Sequence, residues 1–133
     1  MGTYRILIVD DNEHVRFVLA SALKRVSDYT VVEAENSIEA LERAREEPFD
    51  LLITDLRLPR MNGLALTSAF ASLRPDKPVI WITAYGCRRV KRRGEKLRIH
   101  CCLDKPLEIH EIRSAVREAL AHTREHAETA EAG

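Results

Sequence analysis

Three acidic residues in this chain stand at the ends of short apolar runs. Asp10 and Asp11 follow Ile6-Leu-Ile-Val9, and Asp55 closes Asp50-Leu-Leu-Ile-Thr-Asp55. Pro78-Val-Ile-Trp-Ile-Thr83 ends on a hydroxyl, and Ile99-His-Cys-Cys-Leu103 leads into Asp104-Lys105-Pro106. If these runs are parallel strands of one sheet, their carboxyl ends lie along one edge, where open α/β sheets bind ligands. Carboxylates about 4 Å apart repel by roughly 4 kcal/mol at an effective dielectric of 20, so Asp10, Asp11 and Asp55 together want a cation. Oxygen ligands without Cys or His suit a hard ion, and few carboxylates with room for water and phosphate suit magnesium better than calcium or zinc. Phosphoryl transfer is the chemistry such an edge supports: Asp55 as in-line nucleophile, Lys105 pairing with a phosphoryl oxygen, and the Thr83 hydroxyl and Ala84 N–H donating to others. Each residue also has an ordinary use, since Asp caps helices and Thr favours strands. What favours chemistry is that all of them fall at strand ends.

Helical periods separate the runs. Val15, Val18, Leu19, Ala22, Leu23 and Val26 share one face; Ile38, Leu41 and Ala44 form a weaker stripe after a start at Asn36-Ser-Ile-Glu39; Leu66, Phe70 and Leu73 follow the Asn62-Gly63 pair. Thr30-Val-Val-Glu-Ala34 reads as a further strand, and Ile109, Ile112, Val116 and Leu120 as the apolar face of the last helix. Strand and helix alternate five times, which predicts an α/β domain: a doubly wound, flavodoxin-like parallel sheet with helices on both faces. Residues 1–122 form the domain, and 123–133 a polar tail that frays or begins a linker.

The 133 residues fit one domain, and 21 Lys plus Arg balance 21 Asp plus Glu, so no overall field steers the chain to nucleic acid or membrane. Cys87, Cys101 and Cys102 match no zinc or secreted disulfide spacing, and a reducing cytoplasm is the simplest reading. No run reaches the roughly 18 apolar residues of a membrane span.

The pieces Ile6-Leu-Ile-Val-Asp10-Asp11-Asn12, Leu52-Ile-Thr-Asp55-Leu-Arg-Leu-Pro59, Met61-Asn-Gly63, Ile82-Thr-Ala-Tyr-Gly86 and Asp104-Lys-Pro106 together resemble the receiver domain of bacterial two-component response regulators, over about residues 4 to 120. The resemblance implies a CheY-like five-stranded sheet in order 2-1-3-4-5 with five helices. It implies that Asp55 accepts a phosphoryl group from a sensor histidine kinase or phosphotransfer protein. Asp11, Asp55 and the Arg57 carbonyl would bind magnesium, and Asp10 would help through water. It also implies a cis peptide before Pro106, and a switch in which the Thr83 hydroxyl moves toward the phosphate and the face of the fourth helix, fifth strand and fifth helix changes partners. The resemblance further implies a phosphoacceptor that catalyses its own phosphorylation and dephosphorylation rather than turning over a substrate, and a signal that would pass to a downstream protein or to an output domain.

Two positions depart from the family pattern. Cys102, three before Lys105, stands where Tyr or Phe is usual, which predicts an altered conformational readout at the switch; a small packing residue is favoured there over a redox role. Arg88-Arg-Val-Lys-Arg-Arg-Gly-Glu-Lys-Leu-Arg98 sets seven basic residues against Glu95, with only Val90 and Leu97 as apolar anchors, and predicts a short or mobile fourth helix. Aromatic interleaving is missing from it, which argues against nucleic acid and leaves a solvated face or an acidic protein partner. Two rivals remain: a phosphorylation-independent docking module that uses this basic helix, and an aspartyl-phosphate hydrolase, whose second acid is here replaced by Arg57.

Overall fold

The alternation of strand and helix is carried into the backbone without omission. The computed structural model describes residues 3–132, and side chains for residues 3–122. The elements run β1 (Tyr4–Val9), α1 (Glu13–Lys24), β2 (Tyr29–Ala34), α2 (Ser37–Glu46), β3 (Leu51–Asp55), α3 (Gly63–Leu73), β4 (Val79–Thr83), α4 (Cys87–Leu97), β5 (Cys101–Asp104) and α5 (Ile109–Ala132). All five strands pair in parallel, in the order β2-β1-β3-β4-β5. This is the CheY-like flavodoxin fold expected from the sequence.

Successive strand residues face opposite sides of a sheet. β1 therefore sends Ile6 and Ile8 into one core, closed by Leu19 and Leu23 of α1 and by Ile112 and Val116 of α5. It sends Leu7 and Val9 into another, closed by Leu41 of α2 and by Leu66 and Phe70 of α3, with Trp81 at its centre. β3 and β4 are buried at every position, as central parallel strands covered on both faces must be. Each fully buried Leu or Ile among them contributes roughly 1.5–3 kcal/mol.

Three helices begin alike. Asn12, Asn36 and Asn62 accept hydrogen bonds through Oδ1 from the N–H groups of Val15, Glu39 and Ala65 at 3.0, 2.8 and 2.9 Å. Such a cap is worth about 1 kcal/mol. Asn12 closes the short loop after Asp10, and Asn62 closes the longer loop after Asp55, so capping also fixes where the loops after β1 and β3 end.

Several periodic residues fall off the core. Val26 lies beyond α1, which ends at Lys24 with Arg25 as its cap. Ile38 and Ile109 are 41% and 51% exposed, each sitting in the first turn of its helix before the helix meets the sheet. α4 is a regular helix of 11 residues rather than a short one. Helical backbone continues past His122 to Ala132, across the segment read as a tail.

Candidate functional site

The strand order reverses between β1 and β3, and the loops after these strands open a crevice at the carboxyl edge of the sheet. Asp10, Asp11 and Asp55 meet there, each presenting a carboxylate oxygen within 4.8 Å of the others. Asp10 is fully buried, Asp55 is 6% exposed, and Asp11 is exposed.

Asp10 is held from several sides. Its N–H donates to the Ala34 carbonyl at 3.3 Å, its carbonyl accepts from Arg16 Nη1 at 2.6 Å, and its Oδ1 accepts from the Asn12 N–H at 2.8 Å. Asp55 Oδ1 accepts from the Arg57 N–H at 3.1 Å. Lys105 spans the two acids, with Nζ donating to Asp55 Oδ2 at 2.9 Å and standing 3.0 Å from Asp10 Oδ2. The latter oxygen is buried without a well-aligned donor. Lys105 itself is placed by its N–H, which donates to the Thr83 carbonyl at 2.8 Å, and the bond to Pro106 is cis.

The electrostatics follow from burial and sign. Burial raises the Asp10 carboxyl above its ordinary range and the Asp55 charge adds to this, while the Asn12 N–H and Lys105 oppose it without cancelling. Burial works against the Lys105 ammonium, but its bonds to Asp55 and Asp10 and their charges outweigh that and raise it. The crevice thus holds its cation tightly and leaves Asp10 short of compensation.

Thr83 ends β4 opposite Asp104 and is buried, its Oγ1 accepting from the Tyr85 N–H at 3.0 Å. Ala84 and Tyr85 line the crevice with Asp11, Asp55, Arg57 and Lys105. The Arg57 guanidinium lies over the Tyr85 ring, 5.0 Å from its centroid, so these two close the rim. The structure brings together Asp10, Asp11, Asp55, Arg57, Thr83, Ala84 and Lys105. Cys102 lies apart from them, on the α4 side of β5.

Three supporting residues escaped the sequence reading. Gly63 opens α3 against the end of β3: a Cβ there would overlap the Asp55 carbonyl oxygen and lie 2.7 Å from Leu56 Cα. The Asn62-Gly63 pair had suggested only a loop, yet the helix can approach the strand this closely only without a side chain. Ser37 Oγ donates to the Met61 carbonyl at 2.6 Å and ties the loop after β3 to α2. Asp104 Oδ1 accepts from the Cys87 N–H at 2.8 Å and caps α4, whose own first position, Gly86, has no side chain to do so. The unmatched cap of a helix that starts after glycine was the available signal.

The cysteines are arranged differently from expectation. Cys87 and Cys102 are paired as a disulfide, with Cα atoms 5.7 Å apart, and Cys101 is free. Spacing along the chain gave no hint of this, because the pairing depends on α4 folding back beside β5. Cys102 also packs against the second core, as a small packing residue would.

Residues 6–117 match the response regulator receiver domain family. The chain belongs to this family. It is 36% identical over 119 residues to the transcriptional regulatory protein ZraR of Klebsiella oxytoca, covering 90% of this chain and 27% of that protein. It is 30% identical over 116 residues to the response regulator receiver protein CpdR of Brucella abortus, covering 87% of this chain and 96% of CpdR. The crystal structure of a CheY-like receiver from Methanospirillum hungatei aligns with a TM-score of 0.87 at 26% identity, over 94% of this chain and 99% of that one. This chain spans about a quarter of ZraR and nearly all of CpdR. It is a receiver domain of the two-component response regulators.

Receiver domains bind magnesium at an acidic pocket, and the residues here fit that ion. The donors are oxygens with no sulfur or imidazole among them, and the buried Asp10 carboxylate beside the Asp55 charge calls for positive charge beyond that of Lys105. Among the described residues no helix is long and apolar enough to cross a membrane.

Proposed function

We propose that this receiver accepts a phosphoryl group on Asp55 from a phosphohistidine of a sensor kinase or phosphotransfer protein in the cytoplasm. Asp11, Asp55 and the Arg57 carbonyl would hold magnesium, with Asp10 acting through water. Bound there, the dication would neutralise the acids and polarise the phosphoryl oxygens.

The chain's own residues do the rest. A carboxylate oxygen of Asp55 attacks phosphorus in line; the new O–P bond forms as the histidine N–P bond breaks. Lys105 exchanges its contact with Asp55 Oδ2 for a phosphoryl oxygen. Thr83 Oγ1, which accepts from the Tyr85 N–H and keeps its own proton to give, and the Ala84 N–H donate to the remaining oxygens. Attack by water on the acyl phosphate returns Asp55 and releases phosphate, so the chain is an acceptor with a self-limited lifetime. Arg57 and Tyr85 at the rim control the access of that water.

One observation carries this reading: Lys105 Nζ stands 2.9 and 3.0 Å from oxygens of Asp55 and Asp10, an ammonium already placed where a phosphoryl group on Asp55 would put its charge. The signal would then leave through the face of α4, β5 and α5, toward a separate protein or an output domain. Relatives of both kinds support either arrangement, since the chain covers 96% of CpdR and 27% of ZraR. The test is to incubate wild type and Asp55→Asn with magnesium and acetyl phosphate and to record intact masses with and without chelator. A single magnesium-dependent phosphoryl adduct on the wild type alone is expected. No adduct on folded wild type would favour docking through the basic residues of α4, which partner binding unchanged by Asp55→Ala would then support.

A further inference from the structure

We propose that Cys87 and Cys102 form a reversible redox site that takes a small anionic disulfide as oxidant and tethers the loop beside Asp55, so that the oxidation state of the pair sets the rate of phosphoryl transfer. The second half rests on the function proposed above.

The pair is built by topology. Neighbouring strand residues face opposite sides of a sheet, so Cys101 enters the core under α1 and α5 while Cys102 faces α4. Cys102 meets Cys87, the first residue of α4, at a Cα separation of 5.7 Å that lies within disulfide range. Cys87 is well placed to react first. It opens α4 on the rim of the cleft beside Arg88, while Cys102 packs against the core. Cys101 is the opposite case, since burial and the Glu118 charge push its thiol up to about 11 and keep it protonated.

The oxidant follows from the surroundings. A cleft of about 580 Å³ between α4 and β5 is lined by Trp81 and by all three cysteines, with Arg88, Lys91 and Arg98 outnumbering the one acid, Glu95. An apolar floor with a cationic rim suits a small disulfide that carries carboxylates. The Cys87 thiolate attacks one donor sulfur, making a mixed disulfide and releasing the other donor half as a thiolate. The Cys102 thiolate then attacks Cys87 Sγ and displaces the second half. The two protein thiols lose two electrons and two protons, and the donor disulfide becomes two thiols. Excess thiol reverses both steps. In a reducing compartment disulfides are transient and redox-sensing, which matches a site of this kind.

The consequence for the acidic crevice is mechanical. Only Ala84, Tyr85 and Gly86 separate Thr83 from Cys87, and the first two line the crevice around Asp55. The Thr83 hydroxyl accepts from the Tyr85 N–H, so the same loop sets where it lies. The Asp104 carboxylate already holds the Cys87 backbone. Adding a covalent bond at the same residue fixes the far end of this three-residue loop to β5 and restrains the Tyr85 N–H on which the Thr83 hydroxyl rests.

The experiment equilibrates the whole chain in oxidised or reduced glutathione, alkylates it under denaturing conditions, and follows phosphoryl adduct formation with acetyl phosphate and magnesium. The oxidised form should take one alkyl group, on Cys101, with a Cys87–Cys102 link in the peptide map, and the reduced form three. Adduct formation should be roughly tenfold slower when oxidised, equivalent to about 1.4 kcal/mol, and dithiol should restore it. Cys87→Ser should react at the reduced wild-type rate in either buffer, and Cys101→Ser should behave as wild type. A link through Cys101, no link, or a Cys87–Cys102 link with equal rates would overturn the proposal. If neither form accepts phosphate, the proposed function fails, and amide hydrogen exchange over residues 84–87 decides the tether: slower exchange on oxidation upholds it, and equal exchange overturns it.

Discussion

Replacing Lys105 by Met tests whether the crevice is held together by its own ammonium. At about 3 Å and an effective dielectric of 20, each of the two contacts, to Asp55 and Asp10, attracts by roughly 5 kcal/mol. Against this stand the repulsion of the two carboxylates, about 3 kcal/mol or more for oxygens within 4.8 Å, and the cost of taking three charges out of water. The side chain of Lys105 is 20% exposed and that of Asp10 fully buried, so loss of the ammonium leaves a buried anion without its partner. Breaking buried pairs costs 3–5 kcal/mol, and we expect about 3 kcal/mol here, with Met keeping the length and packing of the stem. Magnesium should narrow the gap, because the variant loses the cation that competes for the same oxygens. A tenfold tighter site returns about 1.4 kcal/mol at saturating ion. The assay is urea unfolding of both proteins in chelator and in magnesium, followed by circular dichroism. A deficit under about 1 kcal/mol in chelator, or one that widens with magnesium, refutes the reasoning.

Three further outcomes follow from the supporting residues. Gly63→Ala forces a Cβ onto the Asp55 carbonyl and should cost about 2–3 kcal/mol in the same unfolding assay, with magnesium affinity falling because the end of β3 must move. Asp104→Ala removes the cap of α4 and should cost about 1 kcal/mol, with faster amide exchange at residues 87–90 as the local sign. Cys101 supplies a pH dependence: its thiol goes from an ordinary 9.0 to about 11 on folding, so the stability it contributes is complete below pH 9 and is lost as pH rises through 9 toward 11. The full shift would be worth about 2.7 kcal/mol, and partial exposure brings it to roughly 1 kcal/mol, read as the difference between wild type and Cys101→Ala from pH 8 to 11.

The residues of the crevice were legible because each ends an apolar run, and a parallel sheet brings run ends together whatever lies between them. Asp10, Asp55, Thr83 and Lys105 needed only that rule. Ile38 and Ile109 misled because periodicity assigns a face to a helix but not the point at which the helix reaches the sheet. Gly63 was visible as a residue and invisible as a contact, since its role is the space it leaves for the Asp55 carbonyl. Cys87 and Cys102, 15 residues apart, are neighbours only because α4 turns back along β5, and no local pattern encodes that turn.

α4 shows how these supporting contacts bear on the crevice. Its only buried residue is Gly94, approached by the side chains of Ile99 and Trp81, so little apolar surface fastens the helix along its length. Seven basic residues between Arg88 and Arg98 repel one another with Glu95 as the single acid among them. Its last turn ends on Arg98 in a left-handed conformation, which a side chain adopts at a cost of about 1 kcal/mol. Val90 and Leu97 pack against the second core, and the polar and covalent attachments are both at Cys87: the Asp104 carboxylate on its N–H and the disulfide on its sulfur. That end of the helix is joined to Thr83 by three residues. Gly86 in that joint has a φ of +90°, which only glycine tolerates readily. An aromatic side chain at position 102 would fill the cleft beneath α4 and brace the helix along its length. With Cys102 there instead, a signal passing from crevice to face would have to run through the loop and the residue that anchors it.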